Sequence, residues 1–77
     1  MHVAIADAAS GRAIEAIIET AGHDVTIAAS AAEAFRAVIV DKADAIILES
    51  SLPDVSGLEL CLELRKHGYV GIVMFVA

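Results

Sequence analysis

The stretch Ala45-Ile46-Ile47-Leu48-Glu49-Ser50-Ser51-Leu52-Pro53-Asp54-Val55-Ser56-Gly57 decides the fold. Its first four residues are apolar in both directions, as a strand buried on both faces of a parallel sheet requires. An acid, Glu49, stands where that run stops. A Leu-Pro turn follows, and Ser56-Gly57-Leu58-Glu59 is a capping box that opens a helix. That helix is predicted to end near His67-Gly68, with Leu58, Cys61, Leu62 and Leu64 on its inward face.

The same alternation extends in both directions. Val3–Ala6 is a short apolar run that stops at Asp7. Arg12–Ala21 follows with helical period, Ile14, Ile17 and Ile18 on one face and Glu15 and Glu19 on the other. Gly22 suits a helix end, and Val25–Ala28 reads as a strand rich in β-branched residues. Ser30-Ala31-Ala32-Glu33 is a second capping box, predicting a helix through Val40 with Ala34, Ala37 and Val38 as its buried stripe. Gly71–Val76 is the last strand. Strands alternating with helices imply an α/β domain on a parallel sheet, and right-handed crossovers leave few topologies. The expectation is one domain over 1–77, a doubly wound flavodoxin-like sheet of four strands in order 2-1-3-4 with three helices. Function in such sheets sits at the carboxyl ends of the strands. Asp7, Glu49 and Val76 are predicted to converge there.

Composition narrows the classes. Of 77 residues 58% are apolar, and mean hydropathy is +0.75. A body this small cannot easily hide that much apolar surface, so association is expected. The apolar runs fall far short of the roughly 20 residues a spanning helix needs. No basic segment precedes an apolar core at the N-terminus, so neither membrane nor secretion is expected, and the cytoplasm is the default. Net charge is −6, from 5 basic and 11 acidic residues, which disfavours nucleic acid. Cys61 is alone and reads as a small buried hydrophobe; no Cys/His cluster has metal-ligand spacing. The glycines are isolated at turns, so no phosphate-cradling loop exists. No Ser/His/Asp arrangement suggests a nucleophile. An enzyme is not expected.

Asp7 with Arg12 five residues on, Glu49 with Leu52-Pro53 and Gly57 after it, and a strand closing at Val76-Ala77 together resemble the CheY-like receiver domain of two-component response regulators. The resemblance implies a phosphorylation site, and this chain departs from it. The phosphoacceptor position, an aspartate in the family, is Glu49. Of two adjacent acids that help hold Mg²⁺, the first is Ala6 and only Asp7 remains. The backbone carbonyl offered to the metal belongs to Ser51. The Thr or Ser that bonds the phosphoryl group is Val76, and the lysine of a fifth strand has no counterpart in the sequence. A glutamate carboxyl is displaced by one methylene, and in-line transfer depends on positioning. Valine matches threonine in shape but offers no hydroxyl. A carboxylate also carries one charge against about two on a phosphoryl group.

The expectation is therefore a degenerate pseudo-receiver, truncated after the fourth strand, without a required cofactor and without useful phosphotransfer. It would act by contact with another signalling protein or with itself. The alternative is a residual phosphoacceptor or Mg²⁺-responsive receiver that uses Asp7, Glu49 and the Ser51 carbonyl. Gly71, Ile72, Val73, Met74, Phe75 and Val76 would form an apolar sheet edge with no charge or proline to blunt it. Two copies could pair these strands antiparallel or exchange elements to form a homodimer, or a different protein could add a strand. A natural truncation and a piece of a longer receiver fit the sequence equally.

Overall fold

The computed structural model describes residues 1–7 and 11–76, residues 11 and 12 by their backbone alone. The elements are β1 (His2–Ala6), α1 (Gly11–Thr20), β2 (Asp24–Ala28), α2 (Ala31–Ile39), β3 (Ala45–Glu49), α3 (Gly57–Lys66) and β4 (Ile72–Val76). All strand pairs are parallel, in the order β2-β1-β3-β4. This is the predicted topology. Ser10 and Ala77, and the side chain of Arg12, lie outside the described residues.

The period-2 pleat divides the sheet into two cores. Val3, Ile5 and Ala45 face α1, where Ile14 and Ile18 pack with Val25 and Ile47. Ala4, Ala6, Ala28, Ile46 and Leu48 face the other layer, with Ala34, Ala37 and Val38 of α2 and Leu60 and Leu64 of α3. Both predicted capping boxes form their first bond. Ser30 Oγ accepts from the Glu33 N–H at 3.2 Å, and Ser56 Oγ accepts from the Glu59 N–H at 3.1 Å. Gly22 takes φ +92° and Gly68 φ +83°, the left-handed conformation that ends a helix cheaply only with glycine. No helix of the described residues is long and apolar enough to cross a membrane.

Two predicted faces are corrected. On α3, Leu58 is 60% and Leu62 55% exposed, while Leu60 and Leu64 are buried. Cys61 is half-buried on the flank. The cause is Gly57, whose backbone lies against the Glu49 carbonyl. That close approach turns the stripe 57, 60, 64 to the sheet and carries Leu58 and Leu62 outward. On α1, Ile17 is 71% exposed. The i,i+4 pair Ile14 and Ile18 meets the sheet, and Ile17 falls on a flank with no neighbouring helix among the described residues.

Among the described residues β4 is an edge strand, and its register is Ile46↔Val73 and Ile47↔Met74. The predicted apolar edge is exposed, with Ile72, Met74 and Phe75 open to solvent. On the α1 side a cavity of about 250 Å³ opens between Met1, Val3, Ile18, Ile47, Ile72 and Met74.

Candidate functional site

β1 and β3 run side by side with Ala6 opposite Leu48. The next residue on each chain is an acid. Both acids continue the α1-facing rows, Val3-Ile5-Asp7 and Ala45-Ile47-Glu49, so parallel register brings their side chains together. Asp7 is buried and Glu49 half-buried. The Glu49 carboxyl lies within hydrogen-bonding reach of Asp7. Desolvation, then the negative charge of Asp7, then that contact hold the Glu49 carboxyl above its ordinary range.

Val76 is the register partner of Glu49 on β4, and it presents two methyl groups and no hydroxyl. Ala6 does not reach the site; it is wholly buried in the core shared with α2 and α3. Ser51 lies exposed in the loop after Glu49 and forms an isolated antiparallel bridge with Ser56. The Gly57 N–H closes the same loop on the Ser50 carbonyl at 2.9 Å.

One contact of this loop was not anticipated. Asp54 accepts from the N–H groups of Ala31 (2.8 Å) and Ala32 (3.0 Å). With Ser30 this satisfies the three free N–H donors of the first turn of α2. The Ala31 N–H above all holds the Asp54 carboxyl below its usual range. Asp54 thus ties the loop that follows Glu49 to the start of α2.

The groups here that a hard divalent cation would take are the Asp7 and Glu49 carboxylates and the Ser51 carbonyl. They are right in kind, since Mg²⁺ takes oxygen ligands and commonly keeps several waters beside one or two carboxylates. Among the described residues no cluster of three or more His, Cys, Asp or Glu forms a metal site.

The pKa direction has a thermodynamic consequence. An acid whose folded pKa is raised binds its proton more tightly folded than unfolded. Glu49 therefore favours the fold below its unfolded pKa, and that contribution is lost as pH rises through the raised folded value. Glu49→Gln offers a donor toward Asp7 and removes the charge. The expected result in denaturant melts is a variant more stable than the parent at neutral pH, the difference vanishing in acid.

A buried acid at the end of one central strand, a second acid on its neighbour, and the Leu-Pro loop into a glycine-led helix define the receiver class of signalling domain. The chain matches the response regulator receiver domain family over residues 4–77 and belongs to it. It is 30% identical over 71 residues to the transcriptional regulatory protein AfsQ1 of Streptomyces coelicolor, covering 92% of this chain and 32% of that protein. It is 38% identical over 55 residues to the transcriptional regulatory protein KdpE of Staphylococcus aureus, covering 71% of this chain and 24% of that one. The chain thus spans about a third or less of these curated relatives. Among solved structures, the receiver domain of Francisella response regulator 1452 superposes with a TM-score of 0.88 at 26% identity, covering 96% of this chain and 63% of that one. The response regulator TrrA of Thermotoga maritima, in complex with Mg²⁺ and BeF, shares the fold with a TM-score of 0.85 at 22% identity, covering 95% of this chain and 66% of that one.

Proposed function

We propose that this chain is a receiver module that works through protein contact, without phosphoryl transfer at Glu49, and that it self-associates through β4. The observation that carries the reading is the Asp7–Glu49 carboxyl pair beside Val76. Phosphoryl transfer is catalysed by positioning and by neutralising charge. Here the acceptor carboxyl lies against its neighbouring acid, and the β4 residue beside it donates nothing. Ile72, Met74 and Phe75, exposed on what is an edge strand among the described residues, support contact, because an apolar edge is a template for another strand. A signalling protein is the other class of partner: TrrA, a receiver of the same fold, is known in complex with the histidine kinase ThkA.

A second reading rests on the same two acids. Mg²⁺ held by Asp7, Glu49 and the Ser51 carbonyl would make them a residual cation-responsive phosphoacceptor site.

Light scattering across a range of concentrations tests the self-association. The expected result is a dimer mass that falls to the monomer mass in Ile72→Lys with Met74→Lys, since edge charges block pairing. An unaltered chain that stays monomeric and soluble at every concentration would sink it.

A further inference from the structure

A cavity of about 380 Å³ opens at the amino end of the sheet, between the carboxyl ends of α2 and α3. The Asp7–Glu49 pair lies at the opposite end of the strands. The walls of the cavity come from residues 38 to 71, and β4 then runs about 17 Å to leave the sheet at that other end. The volume falls in the range of small-ligand sites, which are mostly apolar with a few placed polar groups.

The walls are fixed in place. Val38 and Ala43 are buried, and Ile39 is half-buried. The Tyr69 ring is a further wall, set so close to Gly71 that no Cβ would fit there. The Arg65 guanidinium donates to the Tyr69 carbonyl at 2.8 Å and the Gly71 carbonyl at 3.1 Å, which holds that turn. Asp44 is held as well: its Oδ2 accepts from the His2 N–H at 2.9 Å. Burial raises the Tyr69 phenol above its ordinary range; Arg65 opposes that rise and the Asp44 charge adds to it. The Asp44 carboxylate is thus felt at the Tyr69 wall.

Lys42 is the member that local structure does not explain. It lines the cavity and holds φ +60° just past the end of α2, the left-handed conformation that follows α1 and α3 at Gly22 and Gly68. A lysine is strained there and a glycine is not. Strained residues of this kind gather at ligand clamps and other functional sites. Among the described residues the Lys42 ammonium has no ion-pair partner. The cavity therefore carries one ammonium and one carboxylate, two residues apart in the chain, beside apolar walls. A simple carboxylate would meet Asp44 and a simple amine would meet Lys42, whereas a molecule bearing both groups complements both.

We infer that this cavity binds a small zwitterion with an apolar body, of the class of the aliphatic α-amino acids, its carboxylate on Lys42, its ammonium on Asp44 and its side chain against Val38, Ile39 and Ala43. The probe is leucine, titrated into the unaltered chain and followed by amide resonances. The expected result is a saturable shift at Val38, Ile39, Ala43 and Tyr69, with Glu49, Ser50 and Ser51 unmoved. Isocaproate, which is leucine without its ammonium, and isoamylamine, which lacks the carboxylate, should each bind at least tenfold more weakly, since each loses a charge-assisted hydrogen bond. Lys42→Gly should weaken leucine binding at least tenfold while raising the denaturation midpoint, because glycine relieves the turn. Loss of binding in a more stable variant is a loss of the ammonium and not of the fold. Leucine that produces no saturable shift, or that binds Lys42→Gly as it binds the unaltered chain, would overturn the site. Isocaproate binding as tightly as leucine would overturn the role of Asp44 and with it the zwitterion.

Discussion

Gly57→Ala is expected to lower the stability of the folded chain by about 2 kcal/mol, within the usual range for forcing an atom into a packed site. A Cβ at position 57 collides with the Glu49 carbonyl oxygen, and it also lies 3.2 Å from the Glu49 carbonyl carbon and 3.3 Å from Leu48 Cδ1. The obstacle is backbone of a central strand, which cannot swing aside as the end of a long side chain can. Relief must come from moving the first turn of α3, and that turn is held by the Gly57 N–H on the Ser50 carbonyl and by the Ser56 cap. The damage therefore reaches the acid pair. Amide resonances of Ser50, Ser51 and Glu49 should shift along with the fall in the denaturation midpoint. An alanine variant with unchanged midpoint and unchanged loop resonances would contradict the close approach.

Leu64→Ala is expected to cost more, about 3 kcal/mol, as large-to-small changes in a closed core do. Leu64 is fully buried. A domain of this size has only about 3–5 kcal/mol from one core, so the variant should keep about 2 kcal/mol or less and melt well below the parent. Leu62→Ala, two residues earlier on an exposed position, should change the stability of the monomer by no more than about 0.5 kcal/mol. The pair of measurements reports which stripe of α3 faces the sheet. Equal losses, or a larger loss at Leu62, would restore the face that periodicity alone suggested.

That ambiguity shows where sequence reasoning ran short. The continuous apolar run Ala45–Leu48, the two capping boxes and the strand-helix alternation each have one physical solution, and the topology followed from them. α3 does not. Leu58, Leu60, Cys61, Leu62 and Leu64 spread apolar groups over somewhat more than half of the helix circumference, so period gives no single answer. The deciding contact is between the backbone at Gly57 and the Glu49 carbonyl, which no pattern of side chains encodes. The site divides in the same way. Asp7, Glu49 and Val76 were legible as strand-end residues, because parallel register aligns strand ends. Their mutual geometry was not: the carboxyl contact depends on which sheet face each acid takes. Asp54 was missed because its partners, Ala31 and Ala32, are backbone donors of another element.

The central claim is that this receiver keeps the fold and not the phosphotransfer. The most direct measurement is the intact mass of the unaltered chain after incubation with Mg²⁺ and a small acyl phosphate. The account predicts a single unmodified species. A phosphoryl adduct mapped to Glu49 would contradict it and establish the pair as a working, cation-dependent acceptor.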